Sequence, residues 1–212
     1  QLLDARDRQT GEAMADRQLL DEIMTLIIAG HETTASSLNW FWYLLALTPD
    51  AAARVAAEAD AGGDAFPGYD DLAKYPYARR ALDETLRMYA PGWLLTRRSI
   101  AASPLGGYAL PAKCDVLISP YLIQRHPAFW PNPDDFDPDR FLTDVSATRN
   151  RFAYLPFGLG PRACIGEHFA LIEMHAHETN VPIARMAVSI EGSRDAAVTH
   201  YQSVHMRFEL AG

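Results

Sequence analysis

Runs of helical spacing, separated by proline and glycine, dominate the hydrophobic pattern of this chain. The longest run predicts a helix from Gln18 to Leu47, which would span about 45 Å at about 1.5 Å per residue. Thr48-Pro49-Asp50 has the cap and first-turn residues of a further helix, so the long helix ends there. Another helix is predicted at 77–89, because Pro91 keeps the residue before it out of the helical region.

Short extended elements lie between and after the helices. The stretch 92–99 is predicted to be extended, and 106–119 is predicted to form a small hairpin with Cys114 as a buried packing residue. Alternating residues at 201–208 predict an extended, β-rich segment near the end of the sequence. The predicted fold class is therefore mainly α with small β-sheets.

Glycine and proline mark the loops and the helix ends. The segment 60–68 is predicted to be a surface loop, and the run 126–138 holds too many prolines for a regular helix or a central strand. A helical pattern continues from 166 through 174, and Pro182 is expected to end or kink it near Val181.

Composition narrows the class of protein. The chain is 49% hydrophobic and 22% charged with a formal net charge of −8, which is typical of a globular core and argues against nucleic-acid binding. Its two cysteines exclude a disulfide framework and a cysteine zinc site, which indicates a reducing compartment and a cytoplasmic location. The most apolar stretch, 40–47, is too short to cross a bilayer, and we expect no signal peptide, so a membrane anchor is unsupported.

A glycine-rich loop carries one of the cysteines directly before a helical pattern. Its sequence is Phe157-Gly158-Leu159-Gly160-Pro161-Arg162-Ala163-Cys164-Ile165-Gly166. The glycines and the proline fix a tight path, and the helix that begins near Gly166 aims unpaired N–H groups at the sulfur of Cys164. Arg162 adds a fixed positive charge, which stabilises a thiolate and suits a carboxylate partner. The alternative is a buried structural cysteine.

The pattern F-x-x-G-x-R-x-C-x-G resembles the haem-binding loop of the cytochrome P450 superfamily, whose proximal iron ligand is a cysteine thiolate. The resemblance implies a haem b cofactor (iron protoporphyrin IX) with Cys164 as the iron ligand. It also implies that Arg162 binds a haem propionate, and that Phe157, Gly158 and Gly166 shape the cofactor-binding loop.

A second motif, in the long helix, reads Ala29-Gly30-His31-Glu32-Thr33-Thr34. It resembles the part of the family's central helix that passes over the distal haem face. The resemblance implies that Ala29 and Gly30 let a ligand approach the backbone, and that Thr33 and Glu32 deliver protons during dioxygen activation. The alternative for Thr33 is a hydroxyl bonded to the carbonyl four residues earlier. A zinc-protease H-E-x-x-H motif is excluded, because Ala35 stands in place of its second histidine.

A charged pair, Glu84 and Arg87, lies on one face of the helix predicted at 77–89. Any surface helix could carry such a pair, so the pair alone is weak evidence. It becomes informative together with the later element Pro138-Asp139-Arg140-Phe141. The resemblance implies that Glu84, Arg87 and Arg140 close a buried charge network, which supports the meander at about 126–156. This network is expected to be needed for the fold rather than for catalysis.

The resemblance also places a substrate pocket beside the stretch 92–99. The implied pocket residues of this stretch are Trp93, Leu94, Leu95 and Thr96. Arg97 is implied to bind a haem propionate, whereas Arg98 points to the opposite face and is expected to be solvated. The resemblance also implies a closing hairpin within residues 196–210. Weaker pocket candidates in its turn are Ala197, Val198 and Thr199.

The resemblance covers about residues 16–210, which correspond to the C-terminal part of a single cytochrome P450 domain, with the N-terminal half absent. We therefore expect the aromatic residues 40–43 of the long helix to be partly uncovered. After the cysteine loop, residues 175–182 replace the apolar continuation that the family has there. Glu173, His175 and His177 are predicted to form a solvated polar face rather than a metal site.

By resemblance, the function is that of a haem-thiolate monooxygenase that hydroxylates an apolar small molecule. Two electrons come from NAD(P)H, through a ferredoxin and its reductase or through a flavoprotein reductase. Use of peroxide in place of dioxygen is a variant that the Glu32-Thr33 pair argues against. The alternative function is a truncated haem-binding or scaffold remnant without turnover. Fatty acids, terpenoids and aromatic xenobiotics remain open as substrates.

Overall fold

A computed structural model of the chain describes residues 4–62, 69–180, 186–190 and 206–210. It confirms a mainly α fold with small β-sheets. The helices are α1 (Asp16–Leu47), α2 (Pro49–Gly62), α3 (Pro76–Tyr89), α4 (Pro120–Ile123), α5 (Thr143–Ser146) and α6 (Glu167–Asn180). The 3₁₀ helices are Tyr69–Lys74, Pro138–Phe141, Arg151–Ala153 and Gly160–Arg162. No helix in the described part of the chain has the length and apolar character needed to span a membrane.

The strands form antiparallel pairs. They are β1 (Leu95–Arg98), β2 (Ser103–Leu105), β3 (Tyr108–Leu110), β4 (Asp115–Ile118), β5 (Met186–Ile190) and β6 (Met206–Leu210). β1 pairs with β4, β2 with β3, and β5 with β6. The pair of β5 and β6 corresponds to the closing hairpin that the resemblance implies. Ala197, Val198 and Thr199 lie outside the described residues.

The hairpin predicted within 106–119 is wrong. Gly106 and Gly107 have φ of +57° and +88°, so they form the tight turn that joins β2 to β3. The strand β4 pairs instead with the distant β1. Cys114, predicted to be buried, is only half-buried just before β4.

The C-terminal half of α1 forms the main core with α2 and α3. Phe41, Trp42 and Leu45 are buried there against Val55 and Ala78. The prediction that the aromatic residues 40–43 would be partly uncovered is therefore wrong for 41–43, which the neighbouring helices cover.

The N-terminal half of α1 is the exposed part of this helix. Its large exposed apolar side chains are Leu20, Ile23, Met24, Leu26, Ile27 and Ile28. At 3.6 residues per turn they cover an arc of about 200°, which is wider than the apolar stripe of an ordinary surface helix.

A side chain of α2 fixes the start of α3. The backbone N–H groups of Tyr77 and Ala78 donate to the Glu58 carboxylate at 2.9 Å. These N–H groups have no partner within the helix, and a negative charge at a helix N-terminus is favourable. The end of α2 thereby sets the position of α3, which carries Glu84 and Arg87.

His175 of α6 is buried, so the prediction of a solvated polar face is wrong for this residue. Its Nε2 lies 2.9 Å from the backbone oxygen of Leu72, and its ring meets the Tyr75 ring edge to face. Glu173 is exposed as predicted. No group of His, Cys, Asp and Glu side chains in the described ranges could hold a metal ion.

We expect His175 to make the stability of the protein depend on pH. Burial lowers the pKa of His175 below its usual 6.5, although the hydrogen bond to Leu72 acts to raise this pKa. As pH falls through about 6.5, the unfolded chain takes up a proton that the folded protein does not, so the free energy of unfolding decreases. Urea unfolding at about pH 7.5 and about pH 5.5 should show this decrease, and His175→Gln should reduce it. The exposed His168 of the same helix supplies the control, His168→Gln, which should keep the wild-type slope.

Candidate functional site

The cysteine loop folds back on itself through backbone hydrogen bonds. The N–H of Cys164 donates to the carbonyl of Phe157 at 2.9 Å, and the N–H of Gly158 donates to the carbonyl of Leu155 at 3.1 Å. The 3₁₀ helix Gly160–Arg162 lies between Phe157 and Cys164 in the chain. Cys164 is exposed, which contradicts the alternative of a buried structural cysteine.

Glycines give this loop its path and leave room around the sulfur. Gly158 and Gly160 have φ of +71° and +75°, a region that other residues rarely adopt. A Cβ at Gly166 would lie 3.9 Å from Sγ of Cys164, so larger side chains there would crowd the thiol.

Gly158→Ala should destabilise the protein by about 1–2 kcal/mol, because φ at this position is left-handed. The added Cβ would meet Leu95 and Arg162 only at ordinary contact distances of 3.7 and 3.9 Å, so the cost comes from the backbone. Denaturant unfolding measures it. In the control Gly92→Ala, the new Cβ meets only the Pro156 oxygen at 3.9 Å, and a change within about 0.5 kcal/mol is expected. Equal losses in the two variants would contradict this explanation.

Arg97 lies on the face of β1 that is directed to the cysteine loop. Leu95 packs beside Gly158, and alternate residues of a strand share a face, so Arg97 follows Leu95. The Arg97 side chain is exposed and donates to the carbonyl of Thr96 at 2.9 Å. Arg98, on the other face, pairs with Asp115 at 2.7 Å and is exposed, as predicted. Arg162 is also exposed on the loop, so both candidate propionate ligands are accessible.

The candidate pocket residues lie at and just before β1. Trp93, Leu94 and Thr96 are exposed, and Leu95 is half-buried. Ser119 donates from its hydroxyl to the carbonyl of Trp93 at 3.1 Å, which ties this segment to the end of β4. The apolar side chains of this segment are therefore accessible beside the strand that carries Arg97.

The Thr33 hydroxyl donates to the carbonyl of Ala29 at 2.6 Å. This is the alternative considered for an ordinary helical threonine. Ser37 makes the same kind of bond to the carbonyl of Thr33 at 2.9 Å, and successive bonds of this kind favour bending of a helix. Glu32 and Thr33 are exposed, and a Cβ at Gly30 would meet nothing within 4 Å. The surface around Gly30 is thus open to a ligand.

Glu84 and Arg87 form a fully buried, bidentate ion pair. Their atoms are 2.6 Å apart at Nε–Oε2 and 2.8 Å apart at Nη2–Oε1. Nε of Arg140 lies 3.3 Å from Oε1 of Glu84, and the N–H of Asp137 donates to the same oxygen at 3.0 Å. Burial raises the pKa of Glu84 above its usual 4.5, while these partners act in the opposite direction.

The rest of the Arg87 guanidinium binds the meander. It donates to the carbonyls of Gln124, Pro133 and Asp135 at 2.9, 2.8 and 3.2 Å. Arg140 donates to the carbonyls of Pro131 and Asn132. The network therefore connects α3 to a proline-rich segment that has little regular backbone bonding of its own.

These observations lead to one family. A sequence model described as Cytochrome P450 matches residues 1–181. The chain belongs to the cytochrome P450 family. Membership implies in general a haem cofactor.

Relatives of this cytochrome P450 chain come from bacteria and plants. It is 47% identical over 174 residues to cyclooctatin synthase of Streptomyces melanosporofaciens, covering 81% of this chain and 38% of that protein. It is 39% identical over 173 residues to cyclooctat-9-en-7-ol 5-monooxygenase of the same organism, with the same coverage. It is 40% identical over 168 residues to LUTEIN DEFICIENT 5, a chloroplastic protein of Arabidopsis thaliana, covering 77% of this chain and 28% of that protein.

Solved cytochrome P450 structures share the fold. The haem domain of cytochrome P450DA aligns with a TM-score of 0.84 at 34% identity, covering 99% of this chain and 44% of that chain. A mutant of the same domain aligns with a TM-score of 0.85 at 33% identity. The chain thus spans less than half the length of the relatives that it matches.

The described residues of this cytochrome P450 fit a haem. Cys164 presents an exposed sulfur, and glycine at 166 keeps the space beside it free. Ile165, next to Cys164, and Phe169, in the first turn of α6, expose large apolar side chains, which suit a porphyrin face, and the accessible Arg162 suits its carboxylates.

Sequence reasoning missed the buried polar groups that hold this site. Gln124 and His175 bond to residues far away in the chain, and no motif marks either of them. Glu58 could have been suspected, since a carboxylate near the start of a later helix is a possible cap, but its partner is 19 residues away.

Proposed function

We propose that this chain is the C-terminal part of a single cytochrome P450 domain, and that the complete protein is a haem-thiolate monooxygenase. The observation that carries the proposal is the exposed Cys164 thiol in its glycine-rich loop. The uncovered apolar half of α1, and the short span relative to known family members, support the view that activity belongs to a longer protein.

In this proposal, haem b bound through a thiolate supplies dioxygen activation, since thiolate ligation favours O–O cleavage. Cys164 holds the iron, Gly158 gives the loop its left-handed turn, and Gly166 keeps a side chain away from the sulfur. Arg97 and Arg162 bind the carboxylates of the cofactor, because both guanidinium groups are accessible. The network of Glu84, Arg87 and Arg140 keeps the loop in place and takes no part in the chemistry.

Thr33 and Glu32 are proposed to orient and move protons for the reaction that the cofactor would supply. The Thr33 hydroxyl donates its own proton to Ala29, so its oxygen is free to accept a hydrogen bond. The Thr33 oxygen could therefore accept a hydrogen bond and orient a proton donor, while the exposed Glu32 carboxyl supplies the proton. Positioned proton transfer of this kind contributes about 10²–10⁴-fold to a rate.

An apolar organic molecule is the proposed substrate. The name of one bacterial relative specifies an unsaturated alcohol, cyclooctat-9-en-7-ol, as the compound that it oxidises. In this chain, Trp93 and Leu94 expose apolar surface next to β1, and Leu95 separates them from the cysteine loop. Two electrons per turnover would come from NAD(P)H, through a ferredoxin and its reductase or through a flavoprotein reductase. Reconstitution with each system identifies the partner.

Thr33→Ala should lower product formation by the complete protein by about 10²-fold, because the hydroxyl that orients the proton donor is lost. Product per NAD(P)H consumed is the measurement, and Thr33→Ser should restore much of it. Thr25→Ala is a matched control, since Thr25 makes the same bond to the carbonyl of Asp21 in the same helix at 2.7 Å. Normal product yield in Thr33→Ala would exclude the proposed role of Thr33.

A haem-binding remnant without turnover is the second candidate, supported by the short span of the chain. Oxygenation by the complete protein excludes it. Haem bound through Cys164 without oxygenation by either redox system favours it.

A further inference from the structure

Gln124 is a fully buried amide between the end of α3 and the segment that leads into the cysteine loop. It directly follows α4, whose last turn its own N–H closes by donating to the carbonyl of Pro120 at 2.8 Å. Both the nitrogen and the oxygen of its side chain have protein partners, so the amide has a single favourable orientation.

The nitrogen side of Gln124 binds the last turn of α3. Nε2 donates to the carbonyls of Leu86 and Arg87 at 3.0 and 2.8 Å. Carbonyls in the last turn of a helix have no partner within that helix, so these bonds satisfy groups that would otherwise be buried and unpaired. The backbone carbonyl of Gln124 in turn accepts from Nη1 of Arg87 at 2.9 Å. Gln124 is thus joined to α3 in both directions.

The oxygen side of Gln124 binds the segment that leads into the cysteine loop. Oε1 accepts from the N–H of Leu155 at 2.6 Å. The carbonyl of Leu155 accepts from Gly158, and the carbonyl of Phe157 accepts from the N–H of Cys164. A series of hydrogen bonds therefore leads from α3 through Gln124 and Leu155 to the backbone N–H of Cys164.

We propose that Gln124 is a positioning residue that fixes the cysteine loop relative to α3 and thereby sets the geometry of the Cys164 sulfur. This inference rests on the proposed function, in which the sulfur is the haem ligand. An apolar side chain of similar length would leave the carbonyls of Leu86 and Arg87 and the N–H of Leu155 without their partner. The loop would then be free to shift relative to α3.

The test compares Gln124→Met with Thr85→Val in the complete haem-loaded protein. Thr85 is also fully buried, but its hydroxyl bonds only within α3, to the carbonyl of Ala81 at 2.9 Å. In Gln124→Met, exchange of the Leu155 amide hydrogen should accelerate about fivefold, the factor for about 1 kcal/mol per lost hydrogen bond. The share of haem that shows the red-shifted CO-bound band of thiolate ligation should fall. Neither change is expected in Thr85→Val.

A conservative variant separates positioning from general packing. Gln124→Glu keeps an acceptor oxygen for Leu155 but loses the N–H groups that bind Leu86 and Arg87, so protection of the Leu155 amide hydrogen should return only part of the way to the wild-type level. If Gln124→Met does not fold, Gln124→Asn replaces it, because its amide is one methylene too short to reach both α3 and the loop.

The outcomes distinguish this inference from the proposed function. Wild-type spectra together with wild-type exchange at Leu155 in Gln124→Met, or in Gln124→Asn where it replaces Gln124→Met, would overturn the inference. A wild-type protein that binds haem without the thiolate band would overturn the proposed function instead.

Discussion

Arg87→Leu should destabilise the protein by about 3–5 kcal/mol, because it leaves Glu84 as a buried charge without its main partner. The same substitution removes the donors to the carbonyls of Gln124, Pro133 and Asp135, which fix the meander. We expect the variant to lose haem incorporation as well, since the meander leads into the cysteine loop. Denaturant unfolding and the haem-to-protein ratio are the measurements.

Two controls sharpen this prediction. Arg98→Leu breaks the exposed pair with Asp115, for which about 0–1 kcal/mol is expected. The double variant Glu84→Leu/Arg87→Leu removes both charges and should recover part of the lost stability, because an apolar pair carries no desolvation penalty. A normal haem content in Arg87→Leu would contradict the structural role of the network.

Cys164→Ser should abolish oxygenation by the complete protein, because a hydroxyl does not replace the thiolate that ligates the iron. Substrate oxidation with saturating redox partner is the measurement. Cys114→Ser is the matched control, since Cys114 is the other cysteine of the chain and lies half-buried beside β4. It should retain full activity. Oxygenation by Cys164→Ser would remove the basis of the proposed function.

Local signals made the main helices and the cysteine loop predictable. The long helix ends at Leu47, because Pro49 starts the next one, and Gly158 and Gly160 of the cysteine loop have the positive φ values that a tight turn requires. The charged pair on α3 was equally visible, since residues three apart share a helix face. Whether that pair is buried depends on the meander, more than 35 residues away.

Long-range contacts explain the predictions that were wrong. Pairing of β1 with β4 brings together residues separated by a whole hairpin, although the Gly106-Gly107 turn of that hairpin was a usable signal. His175 is buried by Leu72, which is 103 residues earlier in the chain, so the helix pattern around it could not show this. The partners of Gln124 are distant in the same way.

The measurement that tests the central claim most directly is the absorption spectrum of the reduced, CO-bound complete protein after haem loading. We predict the red-shifted Soret band of thiolate-ligated haem, which persists in Cys114→Ser and disappears in Cys164→Ser. A wild-type spectrum without the red shift, or a red shift that survives in Cys164→Ser, would contradict the assignment of Cys164 as the haem ligand.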